Sequence, residues 1–529
     1  MRRLKNKVLL RRSVSRGGRT HWGAIFSKVS AMVSSVYLVT AIIGLGGMLF
    51  GYDIGIISGV LAFDSFKTDF HIDDWNNHLL EQGLIVSSFV VGNLCGALLA
   101  SRVADQIGRK RTLVCSAVLF IAASSLQVFA WQLPVLYVGR YFSGLAVGLL
   151  TMIVPLYNSE LAPKEIRGRL ISFNQISMTG GILIAFWCGY GLRDVTNGWR
   201  YALGGQIFPA IIILLASPLL PQSPRWLIKV GRIGDARRNL NMLRGMNAEM
   251  EFDLMVDTIH NETLLQKDTW SYLFNDPTSR RRLIICMVLQ TGQQLTGINV
   301  IMYYMPFIAQ SVGFGHGNGL LAQGVNGIVN FLSTFVAFFF VDKIGRTTML
   351  RAGGIIMAVA MGTLGGLGMA YAVVSSDKKT VTVDNAAAGW VCVIAIYLYV
   401  FGFAFSWGPV CWLYPTEVFP TSQRGKGVAL STTSNFAFNF LIAQFTPLLR
   451  SKMQFGMFVM FSVLCLLMVI FVSMFVPETR GKSLEELGVA FGGATKGVAV
   501  ALDQQLLGDN ERSSGGGSGS GSALGGVAA

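Results

Sequence analysis

Amide side chains interrupt runs of apolar residues at Gln175, at Gln293, Gln294 and Asn299, at Asn326 and Asn330, and at Asn435 and Asn439. An amide carries a donor and an acceptor in fixed geometry and no charge. Such a set matches a neutral ligand that presents a ring of hydroxyls. Asn326 with Asn330, and Asn435 with Asn439, have the spacing that places both on one helix face. The alternative use of these amides is to glue helices to one another. Two charges stand in the same kind of surroundings, Asp53 and Arg140. At about 1.5 Å per residue, each lies roughly 10–14 Å from the same end of its apolar stretch, so an ion pair is geometrically possible. A carboxylate beside a cation holds its charge. With the cation turned away, burial favours the protonated form. The pair can therefore act as a proton switch coupled to shape, or the aspartate can be structural in a hydrated vestibule.

These residues need apolar elements around them, and the composition supplies them. The 529 residues are 52% hydrophobic and 13% charged, with a mean hydropathy of +0.52. A soluble protein carries roughly 25% charge, so a large soluble globule is excluded and lipid is the implied solvent. The seven cysteines fall in apolar stretches without a CxxC pair, and the five histidines are scattered. Disulfides, a metal site and a catalytic metal centre are not expected. The net charge of +15 is confined to short clusters between apolar runs. It reads as a topology signal, not as a nucleic-acid surface.

A membrane-spanning helix needs about 20 mainly apolar residues. Twelve such stretches are predicted, at 33–60, 83–104, 112–130, 133–158, 168–192, 201–220, 282–312, 319–342, 350–374, 388–415, 426–450 and 455–476. The expected fold class is an all-α integral membrane protein. A basic tail (1–32) precedes a six-helix bundle (33–220), a polar linker with short helices (221–281), a second six-helix bundle (282–476) and a tail (477–529) ending in a Gly/Ser run. Strand-like alternation is absent from the sequence, which argues against a barrel. Lys and Arg concentrate before the first stretch and in the 2–3, 4–5, 8–9 and 10–11 loops, so both termini and the linker should be cytoplasmic. The acid-free, Arg-rich first 30 residues also fit a mitochondrial presequence. The sequon at Asn261 falls on the cytoplasmic side and should stay unmodified.

The two bundles repeat the same phrases in the same order. Asp105-Gln-Ile-Gly-Arg109 is matched by Asp342-Lys-Ile-Gly-Arg346, Glu160-Leu-Ala-Pro163 with Arg167 by Glu417-Val-Phe-Pro420 with Arg424, and Pro221-Gln-Ser-Pro-Arg225 by Pro477-Glu-Thr-Arg480. A duplicated six-helix unit with an axis along the membrane normal is the plan of a rocking transporter with its site between the halves. Together with GYDIG (51–55), PLYNSELAP (155–163), SPRWL (223–227), QQLTGIN (293–299), WGPVCW (407–412) and PETRGKSLEE (477–486), these motifs resemble the sugar porters of the major facilitator superfamily over residues 35–490.

That resemblance implies the major facilitator fold and transport of a monosaccharide, with a proton as coupling ion and no other cofactor. The sugar contacts it implies are Gln175, Gln293, Gln294, Asn299, Asn330, Trp412 and Asn435. Trp412 would offer a ring face to the sugar's C–H face. Tyr303 and Tyr304 are implied as an outer gate, and Asp53 with Arg140 as the proton-coupling pair, since proton-coupled plant and bacterial members carry Asp in the GYD motif. Arg109, Glu160, Arg167, Arg346, Glu417 and Arg424 are expected to form a cytoplasmic gate in which opposite charges can pair across the halves when the inner mouth closes. A short helical latch is implied at Ile233–Arg244 and at Ser483–Leu487. Three positions depart from the family pattern: Cys411 where a second proline is common, Phe436 where tryptophan is common, and Gln222 in place of an acid. The expected partners are a small-molecule sugar and the lipid bilayer. The chain should be a monomer in the plasma membrane, with no enzymatic activity. An uncoupled facilitator and a nutrient receptor on the same fold are the alternatives.

Overall fold

The computed structural model describes residues 36–491, apart from 73–74, 163–166, 245–247, 265–268, 313–317, 342, 375–380, 384, 483–486 and 488–489. Among the described residues, long helices run up and down the molecule as twelve spans. They are α1 Val36–Val60, α2 Leu79–Ile107, α3 Arg109–Val128, α4 Leu133–Leu161, α5 Arg167–Leu192, α6 Gly198–Leu219, α7 Pro277–Ser311, α8 Asn318–Phe340, α9 Arg346–Ala370, α10 Ala386–Val418, α11 Thr421–Met453 and α12 Gly456–Phe475. Ten are apolar enough along their length to cross a membrane. The other two, α5 and α11, carry Gln175 and Asn435. Their polar residues dilute the apolar signal because they line a cavity.

Several boundaries differ from the sequence reading. The ninth stretch stops at Ala370, and Ala372–Val374 instead pairs antiparallel with Val381–Val383. Those β-branched residues suit a strand. The linker ends earlier than expected, because Pro277 already starts α7. Asp276 caps that start, accepting from the Ser279 N–H at 2.8 Å. Before it stand helices Pro224–Lys229, Ile233–Arg244, Ala248–Leu264 and Trp270–Asn275. The first three bury Trp226, Leu240, Phe252 and Met255 in a small core of their own. This cluster docks on the first half: Trp226 Nε1 donates to Asp105 O at 2.9 Å and Arg244 Nη2 to Leu161 O at 2.9 Å. Most of the proposed second latch, at 483–487, lies outside the described residues.

Close helix approach inside the first half depends on glycine. A β-carbon on Gly148 of α4 would press on the Asn93 backbone of α2, and one on Gly51 of α1 on the Met178 carbonyl of α5. Without these side chains the backbones touch, the usual route to tight packing in lipid, where no hydrophobic force drives helices together. α12 shows the opposite situation. Leu466, Leu467, Ile470 and Met474 are exposed on its surface, as a helix facing acyl chains requires.

The halves meet along two helix pairs, α2 with α11 and α5 with α8. The duplication exchanges these pairs, since α2 corresponds to α8 and α5 to α11. The two halves are therefore related by a pseudo-two-fold axis along the bundle. Away from the end that bears the basic loops, hydrogen bonds cross between the halves. Ser87 Oγ donates to Gln444 Oε1 at 2.6 Å, and Gln323 Nε2 donates to Gly55 O at 3.4 Å and to Ser58 Oγ. We expect Gly148→Val to separate α2 from α4 at a cost of about 1–3 kcal/mol. Thermal unfolding in detergent should show a lowered midpoint, and an unchanged midpoint would contradict this packing.

Candidate functional site

Midway along the bundle, between the halves, lies a cavity of about 530 Å³ counting its open mouth. Gln175, Gln293, Gln294, Asn299, Asn330, Trp412 and Asn435 all line it, and so does Asn439. Asn326 does not. It is buried against Met302, whose Sδ lies 3.8 Å from its amide nitrogen.

The amides on the second half form a directed chain. Asn299 donates to Gln294 Oε1. Gln294 Nε2 donates to Asn435 Oδ1 at 2.8 Å. Asn435 Nδ2 donates to Gln293 Oε1 at 2.7 Å and to Gln290 Oε1 at 2.8 Å, and Gln293 Nε2 donates to Trp407 O at 2.8 Å. Each amide thus fixes the next one's orientation, which preorganises the wall of the cavity. Trp407 O is available because residues Phe403–Trp407 form a π-helical turn, which disturbs the regular ladder of backbone bonds. Beyond it α10 continues without a break to Val418. Gln290 was not singled out from the sequence. It lies on α7 one helical turn before Gln294, and that spacing was the available signal.

Gln175 is the contribution of the first half. Its amide nitrogen stands 3.6 Å from where a β-carbon on Gly408 would be, so it reaches across to α10. Neither Gln175 nor Asn330 has a side-chain hydrogen bond to a partner of its own among the described residues, and both face the cavity. Apolar lining comes from Phe50, Ile54, Met178, Ile182, Met302 and Phe403, residues that sequence alone cannot tell from ordinary core. Phe436 packs edge-on against Phe50, ring centroids 6.0 Å apart, and sits 6.4 Å from the Trp412 ring. It is fully buried and packs beside Trp412 without lining the cavity. A second cavity, lined by Thr151, Asn174, Pro409, Thr416 and Thr432 and sharing Gln175 and Trp412 with the first, leads toward the basic end.

α7 breaks beside these amides. Its first segment ends at Leu295, Gly297 has φ +91°, and the helix resumes at Ile298. Only glycine takes that backbone conformation readily. The Thr296 carbonyl freed by the break accepts from the Tyr399 hydroxyl at 2.9 Å, so it is satisfied by α10 and does not open to the cavity. Past the break, Tyr303 and Tyr304 are both buried. Tyr304 has non-helical backbone angles, two residues before Pro306, and its hydroxyl donates to Ala443 O at 3.0 Å. The Tyr303 hydroxyl donates to Asn439 Oδ1 at 3.4 Å.

Asp53 and Arg140 form an ion pair in which neither side chain is exposed. Arg140 Nε also donates to Ile85 O at 3.2 Å, and its guanidinium lies 4.7 Å over the Phe89 ring. A buried pair is held together by the cost of leaving either charge alone.

At the basic end the expected gate residues pair within each half, and pairing across the halves is expected only with the inner mouth closed. Arg109 pairs with Glu160 (2.9 Å) and Arg346 with Glu417 (2.8 Å), each within its own half and not across the halves. The cause is local. Each arginine starts a helix immediately after a tight turn and reaches the end of the fourth helix of its own bundle. There it also donates to a carbonyl of the preceding helix, Ala104 O at 3.0 Å or Val341 O at 2.9 Å. Arg424 is half-buried, and the Arg167 side chain and Asp342 lie outside the described residues. Two further matched bonds went unseen in the sequence. Tyr157 donates to Pro221 O, and Tyr414 to Pro477 O at 3.0 Å.

Where the first half has Gln222, the second has Glu478. Glu478 accepts from the N–H groups of Arg346 (2.8 Å) and Thr347 (3.0 Å) at the start of α9 and from the Thr347 hydroxyl (2.7 Å). Partial burial pushes its carboxyl up, but the Thr347 hydroxyl and the backbone N–H groups together hold it below the usual range. Gln222 offers α3 a weaker contact, 3.4 Å from the Lys110 N–H.

With this geometry in view, the comparisons are specific. The family model for "Sugar (and other) transporter" matches residues 39–491. The chain belongs to the sugar transporter family. It is 34% identical over 490 residues to sugar transport protein 10 of Arabidopsis thaliana, covering 89% of this chain and 92% of that one. It is 34% identical over 475 residues to sugar carrier protein C of Ricinus communis, with 86% and 89% covered. Among solved structures, the proton:xylose symporter XylE bound to 6-bromo-6-deoxy-D-glucose superposes with a TM-score of 0.73 at 28% identity, covering 87% of this chain and 99% of that one. XylE from E. coli in a partially occluded inward open conformation gives 0.70 at 28% identity, over 85% and 100%. The chain is a multi-pass membrane protein with the major facilitator fold.

Asn435→Ala would strip partners from Gln290, Gln293 and Gln294 at once. Each good buried hydrogen bond contributes about 1 kcal/mol, so the KM for labelled sugar should rise by roughly 10- to 100-fold while surface expression is retained. Unchanged KM would remove the amide chain from the binding site.

Proposed function

We propose that this sugar transporter is a secondary active carrier that takes up a monosaccharide, hexose or pentose, together with a proton by alternating access. The reading assigns the sugar to the cavity between the halves. The observation that carries it is the chain of amides on α7 and α11, faced by Gln175 of the first half and by the Trp412 ring. Uncharged donors and acceptors match sugar hydroxyls, and the aromatic face matches the apolar C–H face of a pyranose. Because the two walls belong to different halves, rocking them apart on one side and together on the other transfers the ligand.

The proton is assigned to Asp53. Ionised, it is held by Arg140. Protonated, it releases Arg140, and the pair's hold on α1 and α4 relaxes. Binding can shift the equilibrium between outward- and inward-facing forms only through a difference in affinity between them. Here that difference comes from both proton and sugar. The hydrogen bonds at one end and the cavity leading to the other fit a form that is closed outside and facing the cytoplasm, with the basic loops on the cytoplasmic face, as the positive-inside rule requires. We place the carrier in the plasma membrane as a monomer with both termini in the cytoplasm. The similarity to the solved proton:xylose symporter XylE supports the coupling.

Cells expressing the carrier in a weakly buffered suspension should alkalinise the medium when a transported monosaccharide is added. Asp53→Asn should abolish that signal and uphill accumulation, while exchange of labelled for unlabelled sugar persists. Uphill transport by Asp53→Asn equal to wild type would overturn the proton assignment.

A further inference from the structure

Asp53 has a second neighbour besides Arg140. Ser143, one helical turn beyond Arg140 on α4, has its hydroxyl 3.4 Å from Asp53 Oδ2 and 2.9 Å from the Arg140 carbonyl. That hydroxyl is itself held from behind. Gln127 on α3 donates to Ser143 Oγ at 3.0 Å and to Gly139 O at 3.3 Å. Both amide hydrogens are thus assigned, and the amide orientation is fixed. Gly139 makes this possible, since a β-carbon there would press on the Gln127 side chain. Gln127, Ser143 and Asp53 are all fully buried. The Gln127 carbonyl oxygen has no hydrogen-bond partner among the described residues. A buried amide that leaves its own oxygen unpaired is costly, so α3 gains little stability from this glutamine.

We infer that Gln127 and Ser143 are positioning residues that set the proton affinity of Asp53. The inference rests on the proton-coupled reading above. A serine hydroxyl has a single hydrogen. Because Gln127 occupies an acceptor position of Ser143, the hydroxyl faces Asp53 as a donor, and its hydrogen turns either to the carboxylate or to the Arg140 carbonyl. A donor stabilises the ionised carboxylate more than the protonated carboxyl, whose carbonyl oxygen is a weaker acceptor. The rotor swings to Asp53 when the proton leaves and back to the Arg140 carbonyl when it arrives. The hydroxyl thus has an acceptor in both protonation states of Asp53, and Gln127 and Ser143 bias Asp53 toward release.

The other ionisable groups around this site are few. Arg140 faces Asp53 from α4. From α7, which packs on α1, comes Tyr303, whose hydroxyl donates to Asn439 Oδ1 at 3.4 Å. On α1 itself Tyr52 points away, donating to Ala202 O on α6 at 3.0 Å, with Cys188 of α5 beside it. From α2 the site receives the Phe89 ring and the Ile85 carbonyl, both uncharged.

The test is the pH profile of initial uptake by wild type, Ser143→Ala, Ser143→Thr and Gln127→Leu, alongside sugar exchange at one pH. Loss of the donor, or of the amide that orients it, should let Asp53 keep its proton at higher pH. The midpoint of uptake in Ser143→Ala and Gln127→Leu should move toward alkaline pH by roughly half to one unit, a three- to tenfold change in proton concentration. Ser143→Thr, which keeps the hydroxyl, should stay with wild type, and the KM for exchange should be unchanged throughout. Unshifted or acid-shifted midpoints in Ser143→Ala, or a Ser143→Thr profile that follows Ser143→Ala, would overturn the inference. Should Gln127→Leu fail to reach the membrane, Ser143→Ala removes less volume and decides the matter alone. Wild-type uptake without any pH dependence would instead strike the proton-coupled reading itself.

Discussion

A polar side chain inside a bilayer has no water to turn to, so its partner must come from the protein or from a ligand. This constraint orders the whole site. The amides of α7 and α11 satisfy one another in a chain that ends on the Trp407 carbonyl. The side chains left over, Gln175 and Asn330, face the cavity between the halves, where a polar ligand can meet them. The same constraint accounts for the Asp53–Arg140 pair, since neither charge could remain in the apolar core of the first half alone. It also explains why the break in α7 is closed by the Tyr399 hydroxyl and not left bare.

The duplication divides the work. The basic end is built twice from the same parts: an arginine that starts a helix, a glutamate at the end of the fourth helix of each bundle, and a tyrosine one turn earlier that holds the following chain by a carbonyl. The interior has diverged. The first half keeps the fully buried Asp53–Arg140 pair, and the second keeps most of the cavity's amides. Tyr303 stands between the two. It donates to Asn439, which lines the cavity. A segment of α7 thus packs on α1, the helix that carries Asp53, and also reaches the ligand site through Tyr303.

Much of this was legible in the sequence because the membrane makes the signals coarse. A long apolar run is a helix, and an amide or charge within it is conspicuous; the sequence therefore located Gln175, Gln293, Gln294, Asn299, Asn330 and Asn435 before their geometry was known. Repeated loop motifs exposed the two halves. What stayed hidden depends on distance across the bundle. Arg109 and Glu160 are obvious as charges, but whether each pairs within its half or across the interface is decided by helix packing. Gln127 and Ser143 look like ordinary helix polar residues until α3 and α4 meet at Gly139. Phe436 is visible in the sequence only as a departure from a common tryptophan, and the structure buries it beside Trp412.

The account stands on a cavity between the halves whose filling is tied to a proton. The most direct measurement is made with purified protein in sealed liposomes, with a labelled monosaccharide and an imposed proton gradient. The account predicts accumulation of sugar above the external concentration on the alkaline side, collapsing to equilibrium when a protonophore is added. Equilibration that is blind to the gradient, or no sugar movement at all, would contradict it.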